Sequence, residues 1–266
     1  MKFRRHVLLL VAVLIVGLDS ARLSAQPSGQ FQEFSLVLET PKSGYLELQP
    51  IPLVITLKND TQAPITGHTV LEFGASFLRL YIDRSDGPQE IRVSMMILDV
   101  YANPHVFQPG EQIKKTACLN YRLDKVFPKP GKYRLHVRLT SLDGKDSVSS
   151  KPVEVEIVQP DGLDAQALQF IRDHSEPGDF FTGIHTVKNP EQLQVLENFV
   201  AVYGESSYAD DASLALGEVQ FATRDYQKAR TTFEKLSKKT NYAFAAEVSK
   251  FLKWIEQRTR AADRPY

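Results

Sequence analysis

Residues 152–171 read PVEVEIVQPDGLDAQALQFI, and within this stretch the apolar spacing changes. Val153, Val155 and Ile157 alternate with Glu154 and Glu156, the period of two expected of a strand with one buried face. Beyond Gln159-Pro160-Asp161-Gly162, the residues Leu163, Ala167, Phe170 and Ile171 recur at helical spacing. The polar run with its proline can continue neither pattern, so it marks a boundary. Between Phe31 and Val158 the pattern predicts strands, and beyond Gly162 it predicts helices.

Upstream, the alternation predicts strands at Phe34–Glu39, Leu53–Asn59, Val70–Phe73, Phe77–Asp83, Ile91–Val100, Lys114–Leu123, Lys132–Thr140 and Pro152–Val158. Turn residues separate them: Asn59-Asp60, Asp86-Gly87-Pro88, Pro109-Gly110, Pro130-Gly131 and Asp143-Gly144. Short strands at this spacing, with no helical pattern between them, predict an antiparallel β-sandwich. In Lys132–Thr140 the residues Lys132, Arg134, His136 and Arg138 share the polar face. If this strand neighbours Pro152–Val158, its cations lie beside Glu154 and Glu156, each pair contributing a few tenths of a kcal/mol.

At the start of the chain, Lys2, Arg4 and Arg5 precede the apolar run Val7–Leu18, and the small or polar residues 20–26 follow. That order is a secretory signal, with cleavage expected after Ala25. The apolar run makes a helix of roughly 18 Å, too short for a bilayer core of about 30 Å, so no membrane anchor is expected after cleavage. The expected location is the periplasm or the extracellular space. The single cysteine, Cys118, excludes both an internal disulfide and a lipid anchor on a cysteine after the apolar run. Cys118 reads as a buried strand residue. Without residues 1–25 the 32 basic residues fall to 28, by loss of Lys2, Arg4, Arg5 and Arg22, and the 32 acidic residues fall to 31, by loss of Asp19. That slightly acidic balance offers nucleic acid no electrostatic attraction.

Downstream, Asn189-Pro190-Glu191-Gln192 reads as a helix start, with Leu193, Leu196, Val200 and Tyr203 inward and Gly204 as the stop. Ser207 with Asp210 opens a second helix bearing Ala212, Ala215, Leu216 and Val219. Asp225 caps a third with Tyr226, Ala229, Phe233 and Leu236, and Asn241 begins a fourth with Ala245, Val248, Leu252 and Ile255. Short turns between them predict antiparallel neighbours.

Two resemblances follow from these residues. Phe107-Gln-Pro-Gly-Glu111 and Phe127-Pro-Lys-Pro-Gly-Lys-Tyr133 resemble the closing half of immunoglobulin-like domains in bacterial exported proteins, and the run Pro50–Asn59 resembles an early strand of them. There Tyr133 would stand where a tyrosine-corner residue stands. Residues 206–217 (SSYADDASLALG), Arg224–Ala229 and Phe233 are similar to a tetratricopeptide repeat of the bacterial envelope type. If the unit starts at Asp210, then Leu216-Gly217, Ala229 and Phe233 fall at consensus spacing. Gln220 and Asn241 depart from that consensus. The expected architecture is therefore all-β plus all-α: a signal peptide (1–25), an immunoglobulin-like antiparallel β-sandwich (26–158), a linker with a short helix and loop (159–188), and a tetratricopeptide-like helical domain (189–266). In repeat geometry Leu214, Glu218 and Phe221 would project to the concave side. Together with Phe180 and Phe181 of the linker loop they are the candidate partner-binding residues.

Chemistry is hard to find. The histidines His6, His68, His105, His136, His174 and His185 have no zinc spacing among them. There is no Gly-x-Ser-x-Gly elbow, phosphate-cradling loop or dinucleotide fingerprint. Asp210-Asp211 fits the first turn of a helix, where carboxylates favour the macrodipole. No cofactor and no metal is expected. The leading expectation is a non-enzymatic interaction or scaffolding protein of the bacterial cell envelope that binds another protein or peptide. A protease inhibitor or enzyme-accessory module on the β part, and a hydrolase with a dispersed metal site, are the alternatives.

Overall fold

The computed structural model describes residues 30–73, 75–84, 87–91, 102–174, 180–182 and 190–262. The signal segment, most of the strand expected at Ile91–Val100, His185, the helix start at Asn189 and most of the loop after His174 lie outside the described residues.

After a 3-10 turn at Gln30–Glu33, the strands are β1 (Phe34–Glu39), β2 (Gly44–Leu46), β3 (Ile51–Asn59), β4 (Ile65–Gly67), β5 (Leu78–Arg84), β6 (Gly87–Ile91), β7 (His105–Phe107), β8 (Gln112–Leu119), β9 (Gly131–Thr140), β10 (Ser147–Ser149) and β11 (Val153–Val158). A one-turn helix, α1 (Leu123–Val126), interrupts them. Then come α2 (Gly162–His174), α3 (Pro190–Val202), α4 (Ala209–Ala222), α5 (Tyr226–Ser237) and α6 (Ala245–Ala262). Alternation places the core where it was expected. Ile51, Leu53, Ile55 and Leu57 of β3 and Leu135, Val137 and Leu139 of β9 are fully buried. β11 lies antiparallel to β9 with Glu154 opposite Arg134 and Glu156 opposite Lys132. The ion pairs run diagonally or to the other neighbour: Lys132 reaches Glu154 at 2.9 Å, and Asp83 of β5 receives Arg134 and His136.

The architecture is not the predicted immunoglobulin-like sandwich followed by a helical repeat domain. It is a mixed α/β structure. The strands form a three-stranded sheet β1-β3-β8, a six-stranded sheet β2-β11-β9-β5-β6 with β10 on β9, and the pair β4-β7. The six-stranded sheet is mixed, because β2 joins β11 in parallel and sets Tyr45 opposite Ile157. One buried cluster runs from the strands through Ala167, Leu168 and Ile171 of α2 into Leu196, Phe199, Tyr208, Ala212 and Leu216. Alternation reports that a strand buries one face; it carries no information on which strand pairs with which, or in what direction.

Local departures have local causes. Val70 and Leu71 are both buried, so Val70–Phe73 crosses the interior and contributes only an isolated bridge at Phe73. The strand expected through Leu123 ends at Leu119; Arg122, at φ 49°, turns the chain into α1. Asn241 adopts φ 62° in a turn, and α6 starts at Ala245. Asp225 caps α5 as expected, its carboxylate accepting the Lys228 N–H at 3.2 Å. Tyr133 donates its hydroxyl back to the Lys129 carbonyl at 2.6 Å.

A second buried cluster joins α5 and α6 through Ala229, Phe233, Leu236, Val248, Phe251 and Ile255. Gly217 lets α4 approach it: a β-carbon there would lie 2.6 Å from Phe233 Cε1. The Phe233 ring is fully buried and stacked on Phe251 at 5.0 Å, so it has no room to retreat. Gly217→Ala gains up to about 1 kcal/mol of helix propensity, but overpacking costs about 1–3 kcal/mol. A net loss of about 1–2 kcal/mol in urea unfolding is expected; a variant of unchanged stability would show that the α4–α5 contact is loose.

Candidate functional site

The helices meet the strands at a seam built on one strained turn. Leu48 follows β2 at φ 62°, a conformation that a branched side chain adopts only when its surroundings hold it there. The turn presents the Glu47 carbonyl to the buried Tyr208, whose hydroxyl donates to it at 2.7 Å. The Gln49 side chain donates to the Ser207 carbonyl at 3.1 Å and accepts from the Leu46 amide and from Lys42 Nζ. Asp164 of α2 accepts from the Ser207 amide and hydroxyl at 2.7 and 2.8 Å. Arg172 pairs with Glu47. At the other end Asn120, just past β8, donates to the Phe181 carbonyl at 3.0 Å.

Between these staples lies a cleft of about 630 Å³, a volume in the range of ligand sites. One wall is a face of β8, where alternation brings Lys114, Thr116 and Cys118 to the same side, with Lys115 and Asn120 beside them. The opposite wall is α4, where Asp211, Leu214 and Glu218 form one stripe at i, i+3 and i+7. Ala246, Glu247 and Lys250 of α6, with Ala243, Phe244, Phe181 and Pro50, close the rest. A smaller hollow of about 350 Å³ adjoins it, sharing Pro50, Asp211, Ala243 and Phe244 and adding Lys42, Tyr45, Gln49 and Lys239.

The electrostatics are unusual for a surface cleft. The Asp211 carboxyl is raised to about 7, chiefly by burial, with Lys42 opposing the shift, Asp210 adding to it, and hydrogen bonds from Tyr242 and Gln49 pulling it back. Burial raises Glu218 to about 8, with Glu247 adding to the shift and Lys250 opposing it. The Cys118 thiol is pushed well above its ordinary range by burial, then by Asp211 and Glu218. It is therefore a protonated, poorly nucleophilic thiol at neutral pH. Tyr242 is raised by burial and by the nearby Asp211.

Of the residues expected to contact a partner, Leu214, Glu218 and Phe181 come together on this cleft. Phe221 does not: it packs between the helices against Tyr226, Phe251 and Trp254. Phe180 is buried against Phe181 and Phe199. Sequence reading missed Asp211, taken there for a helix-start carboxylate, and the contribution of β8. The i, i+3, i+7 spacing of Asp211, Leu214 and Glu218 was the signal available for the first. Nothing local signalled the second.

The four described histidines stand apart from the cleft. His68 Nε2 donates to the Thr140 carbonyl, His105 pairs with Glu111, His136 with Asp83, and His174 stacks on Phe170. Among the described residues no group of three or more histidine, cysteine, aspartate or glutamate side chains could hold a metal ion. No helix among them is long and apolar enough to cross a membrane.

No protein-family model and no curated protein matches the chain. Among solved structures it is similar to Spo0M, a sporulation control protein from Bacillus subtilis, at 14% identity and TM-score 0.29, covering 53% of this chain and 55% of that one. It is similar to the CARDB domain of the PF1109 protein from Pyrococcus furiosus, solved with di-metal ions, at 12% identity and TM-score 0.28, covering 49% and 97%. A β-glucosidase from Listeria innocua matches at 16% identity and TM-score 0.26 over 48% of this chain, which spans only 16% of the length of that enzyme. At these scores the likenesses carry no argument about fold, activity or ligand.

Proposed function

We propose that this protein is an exported, non-enzymatic binding protein of the bacterial cell envelope, and that it holds its partner in the cleft between β8 and α4–α6. The observation that carries the reading is the cleft itself: about 630 Å³, walled by three separate parts of the chain and floored by Leu214, Phe181 and Phe244. Apolar floor with a few convergent polar groups is the usual composition of a binding site. The secretory order of residues 1–26 supports the location. Non-enzymatic use is supported by the chemistry of the lining. Among the described residues no histidine lines the cleft, its thiol is protonated, and Asp211 and Glu218 are seven residues apart on one helix. That spacing puts their α-carbons about 10.5 Å apart along the axis.

Ala246 is exposed on the cleft wall at the start of α6, so Ala246→Trp fills the cleft without touching the core. The natural protein is expected to retain a specific partner from envelope extract at moderate salt, and Ala246→Trp to lose it. Retention of the same partner by both would place binding elsewhere, and a turnover activity that survives the substitution would sink the reading.

A further inference from the structure

We propose that the cleft takes an elongated dication, a ligand with an ammonium at each end of an apolar stem, laid along α4 with one nitrogen at Asp211 and the other at Glu218. The proposal rests on the reading of the cleft as the binding site and names the class of ligand it takes.

Lysines surround the cleft, yet nearly all are engaged elsewhere. Lys115 pairs with Glu72. Lys250 pairs with Glu247 at 3.2 Å and sits over the Trp254 ring at 4.6 Å. In the adjoining hollow, Lys42 bonds Gln49 and covers the Tyr45 ring at 4.7 Å, and Lys239 pairs with Asp210 at 3.2 Å. Lys114 stands exposed at the rim. The neighbouring acids Asp210 and Glu247 therefore have cations, whereas among the described residues neither Asp211 nor Glu218 is in an ion pair. Both residues are half-buried and line the cleft, and Asp211 also lines the adjoining hollow.

A sunken carboxylate without a cation is unfavourable, and each group avoids that state by keeping its proton near neutral pH. Around them stand Lys114, Lys115 and Cys118 from β8, Lys42 from the turn before β2, Asp210 on α4, Lys239 and Tyr242 ahead of α6, and Glu247 and Lys250 on α6. Lys42 acts on Asp211 and Lys250 on Glu218, each less strongly than burial does, and among the described residues no cation forms an ion pair with either acid. An entering ammonium does, and each carboxylic acid then releases its proton to solvent and becomes the carboxylate partner. Leu214 falls between the two acids along α4, and Ala243, Ala246, Phe244 and Phe181 also line the cleft, which favours an apolar stem between the ligand's charges. The two nitrogens must span about 10 Å.

Free diamines and two lysine side chains on one extended partner segment share this chemistry. Calorimetry on the purified protein in buffers of different ionisation enthalpy separates them, using α,ω-diaminooctane, α,ω-diaminobutane, octylamine and the blocked peptide Lys-Ala-Ala-Ala-Lys, whose end lysines share one face when extended, about 13 Å apart at the backbone, a gap their flexible stems can close. Diaminooctane or the peptide is expected to bind with proton release, and the tighter of the two identifies the source. Diaminobutane and octylamine are expected to bind at least about tenfold more weakly, since a buried methylene is worth about a fourfold gain and the second ion pair is lost. Affinity should fall about tenfold or more from about pH 8.5 to about pH 6, as protons compete with the ligand. Glu218→Gln, neutral and of the same shape, should lose about tenfold in affinity and one released proton. Equal binding by the natural protein and Glu218→Gln, binding without proton release, or no binding of any probe at millimolar concentration would overturn the proposal. Each of those results leaves the cleft reading to be judged on Ala246→Trp.

Discussion

The Glu218→Gln variant is expected to be more stable than the natural protein at alkaline pH and equal to it in acid. Folding raises the Glu218 carboxyl from its ordinary range near 4.5 to about 8. Between those values the folded chain holds a proton that the unfolded chain has lost, so stability falls as pH rises through this window. The contribution is complete below about pH 4.5 and gone above about pH 8. Asp211 acts in the same direction between its ordinary 3.8 and about 7. The lowered carboxyls Asp60, Glu111 and Asp143 act oppositely, but they are exposed and their effect ends below their ordinary values. Glutamine keeps the shape of the protonated acid and never becomes charged. With allowance for the half-exposed setting, the variant should gain on the order of 2–4 kcal/mol at about pH 8.5 and nothing at about pH 4. Urea unfolding at both pH values measures it. A variant that is less stable at pH 8.5 would mean that Glu218 is a satisfied structural carboxylate.

Replacement of Tyr208 should have the larger effect. Its ring is fully buried, and its hydroxyl bonds a carbonyl 161 positions earlier in the chain, so it is the most direct tie between helices and strands. Burial, then Asp164 and Glu47, keep the phenol protonated far beyond neutral pH, so this tie is insensitive to the changes that charge the cleft. Tyr208→Phe leaves the Glu47 carbonyl without its donor and is expected to cost about 1–3 kcal/mol. Tyr208→Ala adds a cavity and should lose about 3–5 kcal/mol. Phe181, which stacks on Tyr208 at 6.3 Å and also lines the cleft, would lose its support. Equilibrium unfolding should therefore show a large loss for Tyr208→Ala, and calorimetry a weaker cleft than in Tyr208→Phe. Equal stability of the two variants would remove Tyr208 from the seam.

These expectations show how far residues alone reach. Leu214 and Glu218 were legible as an exposed stripe because helical spacing depends only on the chain neighbours of each residue. The same spacing misassigned Phe221, since a helix has more than one apolar side and only the packing of α6 decides which is covered. Cys118, Thr116 and Asn120 were legible as residues of the strand expected at Lys114–Leu123 but not as a cleft wall, because what faces them begins about ninety residues later. The weakened acidity of the Asp211 and Glu218 carboxyls was not legible at all. Asp211 in a first helical turn would ordinarily be a solvated carboxylate, and only the approach of β8 and of the residues before α6 desolvates it.

By itself, the amino-acid order determined the positions of most strands and helices, the alternating cores of β3 and β9, the Asp225 cap and the close α4–α5 contact at Gly217. All of these depend on residues within a few positions, or on one glycine and one ring. Only the tertiary structure decided that β2 joins β11 in parallel, that helices and strands share one core, and that the face of β8 and the stripe of α4 enclose one cleft. The reason is physical: hydrophobic burial is non-directional, so patterning says which face must be covered and leaves the partner to global packing.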